Sequence, residues 1–176
     1  NTNTTASNNT AVGYLALTAN TTGHSNTAAG TYALRYNTGN YNTGLGCWSG
    51  YNNTVGTMNT AVGWQSLYVG TATNYNTAVG NYSLFYANAT TGNNTATGYN
   101  SLMNLTSGYF NTAVGALALD SCTTTTSNTG IGYGAGGSVT TGSNSVYVGY
   151  MSGDYSTATT TGYSNTIIGS HSSTST

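Results

Sequence analysis

Asn59-Thr60-Ala61-Val62-Gly63-Trp64-Gln65-Ser66-Leu67 is followed, 17 residues on, by Asn76-Thr77-Ala78-Val79-Gly80-Asn81-Tyr82-Ser83-Leu84. The same pattern runs along the chain in both directions. Its glycine stands at Gly13, Gly30, Gly46, Gly63, Gly80, Gly98, Gly115, Gly132, Gly149 and Gly169, and six of the nine spacings are 17 residues. The second half of the unit ends in Leu over residues 14–17, 31–34, 64–67, 81–84, 99–102 and 116–119, while Gly50, Gly136 and Gly153 replace that Leu in other copies. Connectors rich in Asn, Thr and Gly, such as residues 18–25 and 87–93, absorb nearly all the length variation. Loops on a fixed scaffold behave in this way.

A unit of this length is too short for a helical repeat pair of over ~30 residues. Thr, Val, Tyr, Asn and Gly are also poor helix formers. The apolar signal has a period of two over short stretches broken by glycine, which is a strand signal. One such strand cannot bury a face alone, but stacked copies ~4.8 Å apart can bury a continuous column. The sequence therefore predicts an all-β chain, a parallel β-solenoid (β-roll or β-helix) of about ten coils, spanning residues 1–176 as a single repeat domain. Such a rod is on the order of 45 Å long.

Stacking turns each motif position into a column. The position before the glycine (Val12, Leu45, Val62, Val79, Val114, Ile131, Val148, Ile168) is apolar in nine of ten copies and is expected inside. The Thr two residues earlier shares its side by alternation. The residue between them then faces out, as a strip of Ala11, Ala28, Ala61, Ala78, Ala96 and Ala113. That strip is a candidate interface between chains, with a narrow bend in the coil as the alternative. The motif's first residue (Asn9, Asn26, Asn42, Asn59, Asn76, Asn94, Asn111, Asn128, Asn165) is expected to form a coil-to-coil amide ladder. The glycine column marks a bend that other residues would enter only under strain. Tyr14, Trp64 and Tyr99 share the position after that glycine and are candidate glycan contacts. The alternative is that the rings pack along the rod and stiffen it.

Composition narrows the function. Charged residues are 2% of the chain, against roughly 25% in ordinary soluble domains. One Lys/Arg residue and two Asp/Glu residues supply neither the basic footprint of a nucleic-acid binder nor a hold on acidic membranes. No apolar run approaches the ~20 residues of a membrane-inserted helix. The chain starts without Met or a signal-like segment, so it reads as a mature protein or an excerpt. Low charge removes the repulsion that keeps molecules apart, so self-association or a glycan cover is expected.

Catalysis needs grouped side chains. His24 and His171 fall at opposite ends of the rod, and Asp120 and Asp154 two coils apart in different connectors. No catalytic residue, metal site or cofactor site is read, and the chain is not expected to be an enzyme. Cys47 and Cys122 stand about four coils apart, too far for a disulfide, whose Cα atoms lie under ~7 Å apart. Cys47 is expected inside, and Cys122 in a connector as a free or intermolecular thiol. Eight Asn-x-Ser/Thr sequons occur, among them Asn20 and Asn52, most of which so Asn/Thr-rich a chain produces by chance, with glycosylation there or on the Thr runs of residues 123–126 and 159–161 as the alternative.

Residues 8–13 (NNTAVG) and 144–149 (NSVYVG) resemble the hexads of trimeric autotransporter adhesin heads. The longer unit, NTAVG-Y-x-A-L with an NTTG-like connector, is similar to repeats of bacteriophage tail fibres and large secreted bacterial proteins. The resemblance covers residues 8–172. It implies a left-handed β-roll, often trimeric, serving as a stalk or binding head on a cell or virion surface. The leading expectation is an extracellular structural protein, a self-assembling fibre subunit or adhesin segment. The alternatives are a glycan-binding fibre module and an ice-binding protein. Ice binding ranks last because it needs outward Thr columns, and the Thr column is expected to face in.

Overall fold

The computed structural model describes residues 5–88, 91–154 and 161–172. Ten three-residue strands form one parallel sheet: β1 (Thr10–Val12), β2 (Thr27–Ala29), β3 (Thr43–Leu45), β4 (Thr60–Val62), β5 (Thr77–Val79), β7 (Thr95–Thr97), β9 (Thr112–Val114), β10 (Thr129–Ile131), β11 (Val146–Val148) and β12 (Thr166–Ile168). Each strand pairs with the next copy of the motif in strict register, Thr60 on Thr77, Ala61 on Ala78, Val62 on Val79. The chain is thus a β-solenoid of about nine turns between ten strands. Two shorter strands, β6 (Thr91–Gly92) and β8 (Gly108–Tyr109), pair in parallel where two connectors stack.

Coil-to-coil hydrogen bonding continues well beyond the strands. In the coil of β4, Thr60 and Leu67 donate to Asn76 and Ser83 of the next coil, while Gly63 and Gln65 donate back to Leu45 and Cys47 of the previous one. Alternation of this kind requires the peptide plane to flip within each turn. Residues in the left-handed region do this at three places per coil, Met58 (φ 57°), Gln65 (φ 54°) and Leu67 (φ 50°), and at the equivalents Tyr75, Tyr82 and Leu84. Each such residue costs roughly 1–2 kcal/mol in isolation; the bonds to both neighbouring coils hold it there. The motif glycine needs more than conformational freedom. At Gly63 φ is 121°, and a Cβ would come within 2.7 Å of the Gly80 carbonyl.

The inside of the coil is the reverse of the sequence expectation. Ala28, Ala61, Ala78, Ala96 and Ala113 are buried at 0–1% exposure. Val12 (62%), Leu45 (37%), Val114 (39%), Ile131 (43%) and Ile168 (68%) are exposed, and Val62, Val79 and Val148 are half-buried on the same outer face. The Val/Leu/Ile column is therefore not the core, and the Ala strip is not an interface; only Ala11, in the first strand, is exposed. Coil width explains the inversion. Leu17, Leu34, Leu67, Leu84, Leu102 and Leu119 point inward and are buried, and each lies over the small residue of the next strand. A Cβ at Gly44 would meet Leu34 Cγ at 2.7 Å, and one at Gly130 would meet Leu119 Cγ at 2.8 Å. The interior is one leucine wide, so a strand that faces a leucine presents Gly or Ala to it; Tyr147 and Ile167, the two large residues in this column, lie beside Gly153 instead.

Tyr147 tests that rule, because it occupies the small column and is fully buried. Room comes from the Leu column: Gly136 and Gly153 stand where leucines would be, and a Cβ on either would approach the Tyr147 ring within 2.5–2.8 Å. Tyr147→Ala is expected to leave a cavity and destabilise the rod by about 3–5 kcal/mol. Gly153→Leu alone is expected to destabilise through the clash, and the double change to recover part of the loss. Urea unfolding midpoints of the three variants check this.

Candidate functional surfaces

The Asn column forms a continuous ladder on the inner side. Each Asn side-chain oxygen accepts the backbone N–H of its successor, from Asn26 on Asn9 (2.8 Å) through Asn59 on Asn42 (2.9 Å) to Asn128 on Asn111 (3.0 Å). From Asn9 to Asn128 each amide nitrogen donates to a connector carbonyl of the next coil, as Asn42 to Gly56 (2.7 Å) and Asn128 to Gly142 (2.7 Å), whereas the Asn165 amide nitrogen is buried without a partner. Ser145 carries the chain of bonds on, donating its N–H to Asn128 Oδ1 and accepting the N–H of Asn165 on its hydroxyl. These amides are satisfied from within and buried from Asn26 to Asn128, so they bind the coils to one another.

The outer sheet face is built from the two remaining strand columns. Thr10, Thr27, Thr43, Thr60, Thr77, Thr95, Thr112, Thr129 and Thr166 face outward beside the Val/Leu/Ile column, in register and in nine of the ten strands, with Val146 taking the place in β11. No charged residue lies in either column.

A second face carries the rings. Tyr14, Tyr32, Trp48, Trp64, Tyr82 and Tyr99, one per coil, touch in sequence with centroid separations of 5.5, 6.3, 6.5, 4.8 and 6.4 Å. Beside them Tyr51, Tyr68 and Phe85 stack nearly parallel at 5.2 Å. The rows meet across Tyr32–Tyr51, Trp48–Tyr68 and Tyr82–Phe85 at 5.5–6.5 Å. Alternation of the first row between two neighbouring columns is why reading one column found Tyr14, Trp64 and Tyr99 but missed Tyr32, Trp48 and Tyr82. Arg35 lies over Tyr32, Tyr36 and Tyr51 at 4.9, 5.0 and 5.8 Å and donates to the Tyr51 hydroxyl at 3.1 Å.

Further along that side, Asp120 and Asp154 come together, contrary to the expectation that their connectors keep them apart. Both follow the Leu-column position, in coils on either side of Gly137. A Cβ on Gly137 would lie 3.3 Å from Asp154 Oδ1 and 3.4 Å from Asp120 Oδ1. The missing side chain lets both carboxylates lean into one cleft of about 250 Å³ with Ser121, Ser138, Tyr133 and Met151. Ser138 Oγ donates to Asp154 Oδ1 at 2.7 Å, and Ser121 Oγ lies 3.5 Å from Asp120 Oδ1. Partial burial, with the Asp154 charge adding to it, pushes the Asp120 carboxyl above its ordinary range. A carboxylate whose folded pKa is raised destabilises the fold once ionised. Stability should therefore rise as pH falls from neutral through that raised value toward the ordinary Asp range near ~4. Thermal melts of the wild type and of Asp120→Asn check this; the variant should lose that pH dependence.

The thiols are also repositioned. Cys122 is fully buried among core residues and its pKa is pushed up to about 12 by burial, while Cys47 is half-buried. Cys122 is thus an inert core residue rather than an intermolecular thiol. Asn20, one of the sequons, is buried at 3% with its amide bonded to Gly23, which leaves no room for a sugar. His24 packs on Tyr41 and His171 on Tyr150, each at 5.0 Å, at the two ends of the rod. Among the described residues there is no group of three or more His, Cys, Asp or Glu side chains, and no helix is long and apolar enough to cross a membrane. No family model, curated protein or solved structure matches the chain. The surfaces themselves carry the functional argument.

Proposed function

We propose that the protein is a non-catalytic structural rod that associates side by side with copies of itself through the outer sheet face, as an extracellular fibre, stalk or adhesin segment. The observation that carries this reading is the exposed Val/Leu/Ile column. Three residues of width and ten coils of length make a face of on the order of 450 Å², in which the apolar column forms a continuous stripe beside the Thr column. The face has no charge to oppose contact and repeats in register from coil to coil, with Ala29 and Thr97 in the apolar column and Val146 in the Thr column as its exceptions. A second copy therefore fits it with every coil engaged at once, in the self-complementary manner of symmetric oligomers. Contact of this kind closes as a two-fold dimer; the trimer implied by the adhesin resemblance would need a second, different patch on each chain.

Sedimentation velocity at micromolar concentration tests the reading. The wild type is expected as a discrete oligomer, and the double variant Val62→Asp/Val79→Asp as a folded monomer with unchanged β circular dichroism. A wild type that stays monomeric across the concentration range sinks it. In that event the outward Thr column supports the ice-binding reading, since an open, flat Thr/Val lattice would then face water. Thermal hysteresis of the monomer, abolished by Thr77→Tyr, is the expected result there.

A further inference from the structure

We propose that the aromatic face of coils one to six binds a linear, uncharged, β-1,4-linked polysaccharide lying parallel to the rod axis. The surface consists of the two touching rows of rings described above, the longer running from Tyr14 to Tyr99. Rings that served only to stiffen the rod would be buried and would run its whole length. These rows are partly exposed and break off in the seventh coil, and the first resumes only as the stacked pair Tyr133–Tyr150 at 5.4 Å. Tyr14, Trp64 and Tyr99 are 65%, 40% and 52% exposed. In the seventh coil the equivalent positions are Ala116 and Leu117, yet the sheet passes through that coil in unbroken register, β7 to β9 to β10. Folding does not need the platform.

The class of ligand follows from three features. Rings with an apolar body and a polar tip suit a partner that has both C–H faces and hydroxyls, which is the make-up of a sugar. The platform repeats once per coil, ~4.8 Å, close to the rise of one sugar in an extended β-1,4-linked chain, so successive sugars meet successive rings. Charge sets the last feature. The platform holds one cation, Arg35, already enclosed by three rings. An anionic glycan would find no further counter-charge, because the chain has no other Lys or Arg. A neutral one fits, and the remaining guanidinium N–H groups of Arg35 can donate to its hydroxyls. The face lies outside the two strand columns assigned to self-association, so the two proposals stand or fall separately.

Trp48 and Trp64 are the only tryptophans of the chain and both sit in the platform, so intrinsic fluorescence reports on it directly. The probes are cellohexaose, cellotriose and a hexamer of galacturonic acid, titrated into the Val62→Asp/Val79→Asp variant and into the wild type. Cellohexaose is expected to shift the emission saturably and to bind at least tenfold more tightly than cellotriose. Tyr99→Ala and Trp64→Ala, at different coils and with melting temperatures near that of the parent, should each weaken cellohexaose at least tenfold; Tyr99→Ala retains both fluorophores. Three results overturn the proposal: no saturable shift with cellohexaose, equal affinity for the trimer and the hexamer, or tighter binding of the galacturonate. Loss of self-association with cellohexaose binding intact would overturn only the earlier reading.

Discussion

Ala78→Asp is expected to abolish folding, and Val79→Asp, one residue on, to leave the rod intact. Ala78 is fully buried in the centre of the rod, paired with Ala61 and Ala96 in the neighbouring coils. A carboxylate there has no cation within reach, and burying an unpaired charge costs several kcal/mol even after relaxation. The coil cannot relax to make room, because Leu67 and Leu84 already fill the interior on either side. That loss is a large part of the ~5–15 kcal/mol that stabilises an ordinary domain. Val79 stands on the outer face, half-buried against its own column. An aspartate there stays in water and costs only lost contact with Val62 and the Thr97 side chain. Far-ultraviolet circular dichroism and thermal melts of the two variants check the result. Equal disruption by both, or a folded Ala78→Asp, would contradict the inward assignment of the Ala column.

Removal of residues 59–75 is expected to leave a folded rod one coil shorter. Residue 59 begins one copy of the motif and residue 76 the next, so the new junction joins Met58 to Asn76. Met58 (φ 57°) and Tyr75 (φ 60°) hold the same backbone conformation ahead of the motif, and Asn42 can then accept from Asn76 as it now accepts from Asn59. Each coil contacts only its neighbours, so the loss is roughly one repeat and one interface. Removal of residues 59–67 is expected to prevent folding. It sets Met58 before Tyr68 and discards the inner Asn, Ala and Leu of the coil while keeping its connector, so the ladder is cut and the flanking coils cannot dock. Melting curves of the two deletions separate the outcomes; two equally mild or equally severe deletions would mean that the repeat unit is misdrawn.

The repeat, the parallel stacking, the coil length and the alternation that puts Thr and Val on one side and Ala on the other were all legible in the sequence. They depend on period, and period survives in a single chain. Which side is inside was not legible. Hydrophobicity chose Val79 over Ala78, but the choice belongs to volume, and volume is set by a coil only one leucine wide. The substitutions at Gly136, Tyr147 and Gly153 carried a trace of this, since a large residue in one column coincides with glycines in the other. Leu in one copy and Gly50 in another also share a left-handed backbone, a constraint that no hydropathy pattern expresses. The functional surfaces depended still more on the third dimension. Tyr32 and Tyr14 lie in different columns and different coils, and Asp120 and Asp154 are 34 residues apart. Only the winding of the chain, with a glycine between the two carboxylates, makes them neighbours. Local periodicity determined the fold because every coil repeats the same interactions; the surfaces are made by the exceptions to the repeat, and their meeting is decided by how the coils close.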